Sequence, residues 1–484
     1  MPFSLKKGFL HLFSGSIFGR AISFLLNIVL SRFLGPSSLG LYALALNAIQ
    51  SFDLFTKLGL DYGLSLELTS SRKYKSYSEF SDFELKVINQ SLSLIIISSL
   101  VGIFAFSLWL LPGDAYLPPQ PLVNQRTITS VLLLIACFLE SINSFLWDIL
   151  LAKALTRKYS IRTGIVAPFK IAFYAFGYFL AGAVGAFGLL VISSAATWCL
   201  LLRLLPLRLG ASYRFGINLQ LSRHLLSRGK PLYFANTINA LVFLPLWSSL
   251  ASTSGLSPVG FLRIGQLMVQ LFSLVPSALM PAYFLKIRLT DLSGEKESSI
   301  RSQASLLSKS SSIAWSAGLA FLSIYFLIDR SLMNFLFGPE FADSIITTRI
   351  FIISSIFDSV SGFYQTFYLA SEISSVYLLA QLLPNALIAF IFLGSMSSFS
   401  LKSFLTFKLL SSSLPLIIYL LSLPKNLTNS LGNIIISLAL CYASLLPSSL
   451  SQTYFITVVS SFFFSSLLLV NSYRNGLLKN IFNS

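Results

Sequence analysis

Charge is scarce in this sequence, and negative charge is scarcer still. Of 484 residues only 11% are Asp, Glu, Lys or Arg, and 17 acidic side chains stand against 34 basic ones. A soluble domain carries roughly 25% charged residues, so a chain of this size would lack the polar surface to cover its core. The shortage excludes a soluble enzyme, a disordered chain and a fibrous repeat. Cysteine is nearly absent as well: Cys137, Cys199 and Cys441 lie singly in apolar segments, where they act as small hydrophobes and form no disulfide framework. Only two histidines occur, His11 and His224, and no His/Cys/carboxylate cluster has metal-ligand spacing. A Gly-x-x-x-x-Gly-Lys-[Ser/Thr] phosphate loop is missing, and no connecting segment is long enough for a separate catalytic domain. No cofactor, metal or catalytic residue is therefore expected.

What is present is hydrocarbon. Hydrophobic residues make up 55% of the chain, and the mean hydropathy is +0.78. A helix needs about 20 predominantly apolar residues to cross a bilayer. By that measure spans fall at 10–32, 40–64, 87–111, 128–151, 163–184, 186–206, 231–252, 259–285, 306–328, 343–370, 376–398, 402–422, 431–449 and 452–471. The expected fold is an all-α polytopic membrane protein of about 14 transmembrane helices, with 12 as the conservative count. The boundary between spans five and six is weak, running through Gly182 and Gly185. Residues 1–206 form an N-terminal lobe of six spans, 207–230 a basic linker, 231–422 a C-terminal lobe of six spans, and 423–484 an extra helix pair and tail. Arg20 interrupts the first apolar run, which argues against a cleaved signal there.

Most of the net +17 is explained by orientation. Basic residues collect in cytoplasmic loops. With both termini inside, Arg72, Lys73, Lys75, Lys153, Arg157, Lys158, Arg162, Arg208, Arg214, Arg223, Arg228, Lys230 and Lys286 all lie on one side. Few basic residues, among them Arg32, Arg126, Arg330, Arg349 and Lys402, lie on the other. A nucleic-acid partner is not needed to account for them.

A smaller set of charges is not explained by topology. An ionisable side chain at mid-bilayer costs roughly 2.5–3.5 kcal/mol on insertion scales and normally faces a bundle interior or water. Arg20, Asp53, Lys57, Glu140, Asp148, Lys170, Arg263 and Asp358 fall inside spans. Residues three and four apart share a helix face. Ser16, Arg20, Ser23, Asn27 and Ser31 make one polar stripe; Asn47, Gln50, Asp53, Lys57 and Asp61 a second; Arg263, Gln266, Gln270, Ser273 and Ser277 a third. Such stripes either bond helix to helix or line a hydrated cavity. Guanidinium groups bind phosphate bidentately, and amides suit sugar hydroxyls. The candidate substrate-binding residues are accordingly Arg20, Asn27, Gln50, Lys57, Arg263, Gln266 and Gln270. Asp53 and Asp358 are candidates for ion coupling, and Asp53 and Lys57, four apart, can also simply pair.

Spans two and eight open alike. Leu39-Gly40-Leu41-Tyr42-Ala43-Leu44-Ala45 follows the turn Gly35-Pro36-Ser37-Ser38, and Val259-Gly260-Phe261-Leu262-Arg263-Ile264-Gly265 follows the turn Ser254-Gly255-Leu256-Ser257-Pro258. A duplication would give two six-helix bundles of parallel topology.

The run Gly19-Arg20, Ser31-Arg32-Phe33-Leu34-Gly35-Pro36, Leu39-Gly40-Leu41-Tyr42-Ala43-Leu44 and Lys57-Leu58-Gly59-Leu60 resembles the start of polysaccharide flippases. These are the O-antigen and teichuronic-acid export type within the multidrug/oligosaccharidyl-lipid/polysaccharide exporter superfamily. Val259 to Arg263, Ala278 to Pro281, and Leu336-Phe337-Gly338-Pro339-Glu340-Phe341 also look like that family. The resemblance implies two lobes around a central cationic cavity in the cytoplasmic membrane. It implies flipping of an undecaprenyl-pyrophosphate-type oligosaccharide for cell-surface polysaccharide, alongside membrane lipids, glycosyltransferases and a polysaccharide polymerase. Arg20, Lys57 and Arg263 occupy places comparable to cations of related flippases. One departure stands out: Leu262 and Arg263 occupy a position where a small residue and a tyrosine are usual. Two other functions compete. A cation-coupled multidrug exporter would favour a carboxylate-lined cavity, and a membrane glycosyltransferase or polymerase would need catalytic carboxylates in a sizeable outer loop.

Overall fold

The computed structural model describes residues 5–71, 82–110, 123–153, 155–205, 216–273, 276, 280, 296–370, 374–395 and 399–422. Among them every regular element is helical. In chain order these are α1 (Leu5–Thr56), α2 (Leu60–Ser71), α3 (Asp82–Leu110), α4 (Val123–Ala152), α5 (Thr156–Ile161), a π-helical turn (Arg162–Val166), α6 (Ala167–Leu204) and α7 (Leu219–Ser254). They continue with α8 (Leu256–Phe272), α9 (Lys296–Leu336), a 3₁₀ turn (Pro339–Phe341), α10 (Ser344–Ala370), α11 (Ser374–Ser395) and α12 (Leu401–Leu421).

Nine helical stretches among the described residues are long and apolar enough to cross a membrane, and Leu256–Phe272 is a shorter apolar helix. Two of the nine are double. α1 breaks at Gly35, with φ 71° and ψ 177°, directly before Pro36. Proline supplies no N–H and disfavours helical backbone in the residue before it, so one continuous run becomes two limbs. α6 breaks at Ala181 and Gly182, the latter at φ 59°. Gly177 and Gly185 then face each other across the turn so closely that neither has room for a Cβ. Spans five and six are thus a hairpin almost without a loop. The first twelve expected spans coincide with described helices over most of their length, except that the eighth, expected to run to residue 285, is described as a continuous helix only to Phe272; the two expected at 431–449 and 452–471 lie outside the described residues.

The chain divides into two compact units, chiefly Leu10–Gly260 and Phe261–Ser484. The first is built on Leu60, Leu64, Val87, Ile88, Phe145 and Leu150, all fully buried, drawn from α2, α3 and α4. Trp147 meets the Tyr159 ring edge-on at 6.3 Å. α7, which the sequence reading assigns to the second lobe, packs on α2 and α3 within this unit. Gln90 donates to Ser222 at 2.6 Å, Arg228 donates to Glu67 at 2.8 Å, and Gly59 and Gly229 touch backbone to backbone. α7 begins at Leu219, capped by the Asn218 side chain, so residues 219–230 of the expected linker are helical. In the second unit α10 packs along α9 and α12. Tyr368 stacks on Tyr419 at 5.5 Å, and Arg349 donates to Asp329 at 2.7 Å.

Phe33, Phe104, Leu180 and Phe390 are among many large apolar side chains left outside, as a hydrocarbon solvent allows. The α6 hairpin generates a test. Gly182 has no neighbour to clash with a Cβ, so a substitution there meets backbone strain alone, about 1–3 kcal/mol. Gly182→Ala should lower the thermal unfolding midpoint of the detergent-purified protein. Gly188→Ala, in equally open space but at ordinary helical geometry, should not.

Candidate functional site

The polar stripe of the second limb of α1 ends where the helix does. Asp53 and Lys57 sit one turn apart, and the backbone then turns left-handed at Leu58 (φ 53°) and Gly59 (φ 70°). That break aims Lys57 at α4. Its Nζ lies 3.1 Å from Asp53 Oδ2 and 2.8 Å from Asp148 Oδ2. Ser144, one turn before Asp148, donates to Asp53 Oδ2 at 3.1 Å.

The fourth charge comes from the π-helical turn. Arg162 Nη2 donates to Ser144 Oγ at 3.1 Å, and Nη1 lies 3.7 Å from Asp148 Oδ1. Nη1 also donates to the Tyr159 hydroxyl at 3.4 Å, and the guanidinium sits 5.8 Å from that ring's centre. The extra residue in a π turn shifts the following side chains around the helix, and such turns recur at functional sites. Asp61 adds a third carboxylate within the field of Lys57 and Asp148. Its buried Oδ1 has no hydrogen-bond partner among the described residues. Three carboxylates against Lys57 and Arg162 leave the group one negative charge in excess when all are ionised.

A second pair lies deeper on the same helices. Lys170 donates to Glu140 Oε1, which also accepts from the Ser194 hydroxyl. Glu140 precedes Asp148 by two helical turns and Lys170 follows Arg162 by two, so the layers are about 12 Å apart at 1.5 Å per residue. A further buried pair, Lys153 with Glu84 at 2.8 Å, joins α3 to the end of α4. Lys170, one of the charges inside the spans, is thus held by a carboxylate of a neighbouring helix.

The expected binding residues fare differently. Arg20 is half-buried, and its neighbour Gly19 lies against the backbone of Thr163 and Gly164 in the π-helical turn. Asn27 is fully buried, and its amide donates to Ser23 O on its own helix at 2.6 Å. Gln50 is exposed. Lys57 and Asp53 meet each other and the further partners above. In the second unit Arg263 is buried and donates to Gln266 Oε1 at 3.3 Å. Gln270 is half-buried, and its carbonyl accepts from Ser273 at 3.4 Å. Asp358, half-exposed, pairs with Lys408 at 2.8 Å. The structure therefore joins Lys57 to Asp53 in one unit and Arg263 to Gln266 in the other.

Arg162 and Lys408 were not legible as site residues. Arg162 counts as loop charge by position, and Lys408 lies within span twelve without a polar stripe to mark it. The signal was available in a different form: a carboxylate placed in a membrane span calls for a cation, and Asp148 and Asp358 each had none assigned.

The sequence profile of a family described as polysaccharide biosynthesis protein matches residues 5–285. No curated protein sequence matches the chain. Among solved structures the chain is similar to an outward-facing multidrug resistance MATE family transporter of the MOP superfamily. The identity is 15% over 90% of this chain and 97% of that one, with a TM-score of 0.56. It is also similar to a MOP superfamily transporter from Pyrococcus furiosus, at 15% identity over 92% of this chain and 97% of that one, TM-score 0.53. For that protein a binding pocket of reverse polarity suggests a different function. At such identity these likenesses establish the fold.

Removing one member of a buried ion pair strands the other, at a cost of about 3–5 kcal/mol, whereas removing both is nearly neutral. Lys170→Met should therefore lower the unfolding midpoint in detergent, and adding Glu140→Leu should recover most of the loss. Equal destabilisation by the single and double variants would show that the pair carries no such coupling.

Proposed function

The chain belongs to the polysaccharide biosynthesis protein family and has the fold of MOP-superfamily transporters, and on that premise we propose that it flips a lipid-linked oligosaccharide across the cytoplasmic membrane. The family and fold are those of membrane transporters. The finer reading is an undecaprenyl-pyrophosphate-type substrate carried by alternating access from the cytoplasmic to the outer leaflet, with both termini inside. A glycosyltransferase would build the substrate on one face and a polymerase would consume it on the other.

The observation that carries this reading is the state of the carboxylates. Asp53, Asp148, Glu140 and Asp358 each have a Lys or Arg partner. A cationic drug entering these spans would have to compete with a lysine or an arginine for each of them. Arg20 and Arg263 supply the pyrophosphate contacts, each guanidinium presenting a planar donor fork to phosphate oxygens. Gln50, Gln266 and Gln270 supply hydrogen bonds to sugar hydroxyls. Lys57 acts structurally: two carboxylates hold it, so it fixes the break after Asp53 and tunes the excess charge beside Asp61. That excess is the place for ion coupling, and moving one charge through 100 mV is worth about 2.3 kcal/mol.

A second reading has its own support. The fold is similar to that of a multidrug resistance transporter, and Asp61 keeps one buried oxygen without a hydrogen-bond partner among the described residues. The two readings separate by substrate. In proteoliposomes loaded with a fluorescent polyprenyl-pyrophosphate oligosaccharide, the wild type should move label to the opposite leaflet. Arg263→Ala should slow that movement roughly 10- to 100-fold, the worth of about 1.5–3 kcal/mol for a charge-assisted hydrogen bond. Full glycolipid flipping by the Arg20→Ala/Arg263→Ala double variant would overturn the assignment of those two arginines, and drug resistance conferred on a sensitive host without any flipping would favour the exporter.

A further inference from the structure

Two hexapeptides with the pattern Gly-x-Ser-x-x-Gly, Gly35 to Gly40 and Gly255 to Gly260, lie 220 residues apart and meet in the structure. All twelve residues belong to the first unit. The correspondence holds atom by atom. Gly35 has φ 71° and ψ 177°, and Gly255 has φ 83° and ψ −177°, so both copies leave one helix and enter the next through the same left-handed step. The Ser37 and Ser257 hydroxyls, equivalent residues, bond each other at 2.9 Å. A Cβ on Gly40 would strike the Leu256 carbonyl, and one on Gly260 would strike the Pro36 carbonyl. Pro36 and Leu256 are themselves equivalent under the same offset. The contact is reciprocal, as a local two-fold axis between Ser37 and Ser257 requires.

We infer that this paired junction is a separable seal: it closes when the start of the second limb of α1 meets the start of α8, and it parts when substrate leaves on the outer side. The inference uses the transporter reading above only for which side is outer. Its physical basis is what holds the junction and what does not. Neither hexapeptide contains a charged residue. Leu39 and Val259 are fully buried, and the backbones approach at the distance that small residues permit between membrane helices. One hydroxyl pair crosses it. Two other helix contacts in the unit are fastened by ion pairs, Lys153 with Glu84 and Lys57 with Asp148. The glycine contact at the other end of α7, Gly59 with Gly229, has Glu67 and Arg228 paired nearby. A surface held by close packing and one neutral hydrogen bond can open without leaving a charge stranded.

The experiment uses the full chain with its native cysteines replaced. In a Ser37→Cys/Ser257→Cys variant, mild oxidation should form a disulfide, abolish transport of the fluorescent glycolipid, and be reversed by reductant. Each single variant should transport normally. A wedge supplies an independent arm that needs no substrate. Gly40→Leu or Gly260→Leu should raise the labelling rate of S257C by a membrane-impermeant maleimide several-fold, while Gly188→Leu, which faces open space, leaves it unchanged. Should a bulky wedge prevent folding, Gly260→Ala serves, since even a methyl group meets backbone there. A disulfide-linked carrier that transports at the unlinked rate, or wedges that leave labelling unchanged, would overturn the seal. Failure of the glycolipid substrate alone would leave the labelling result standing and count against the export reading instead.

Discussion

Lys57 lies 2.8 Å from Asp148 and 3.1 Å from Asp53, and much of the first unit is arranged around keeping those charges together. In a medium without water an isolated ion is costly, and its partner must arrive from another helix in good geometry. The break at Leu58 and Gly59 brings Lys57 to α4, the π-helical turn brings Arg162 to the same carboxylates, and Ser144 bridges the two sides. Each irregularity of the backbone in this region serves a charge. The apolar packing of Phe145, Trp147 and Leu150 surrounds the group on α4, so the helix that carries the most intramembrane acid is also among the most deeply packed.

The spans were legible because hydropathy is averaged over a helix length, and the error of one residue hardly matters. The kink at Gly35 and the turn at Gly182 were legible because proline and glycine act locally. The ion-pair partners were not. Lys57 and Asp148 are 91 residues apart, and no period in the sequence links them. Periodicity put Asn27 on a polar face correctly, since Ser23, Asn27 and Ser31 are all buried. It could not tell that the Asn27 amide turns back to its own helix instead of outward. Nor could a charge count tell a loop arginine from Arg162, which sits at the edge of a span and reaches inward. The placement of α7 was hidden for a similar reason: a long basic segment reads as a boundary, yet the Gly59 and Gly229 contact that fastens it is a property of two backbones.

Glycine does in this fold what loops and polar bonds do in soluble ones. At Gly177 and Gly185 it closes a hairpin, at Gly59 and Gly229 it docks α7, and at Gly40 and Gly260 it joins the start of the second limb of α1 to the start of α8. Where burial of apolar surface gives helices little reason to prefer one another over lipid, close backbone approach supplies the attraction and the specificity together.

The crossed form of the Gly40 and Gly260 contact has an evolutionary consequence. Each glycine rests on the first helical residue of the other copy, not on its own counterpart. After a duplication, a side chain gained in one copy would collide with the other, and no change confined to one copy could relieve it. Two duplicated halves would be free to diverge along most of their length, but at this spot each would be the template against which the other is held. A short motif shared by distant parts of one chain is then a record of physical contact.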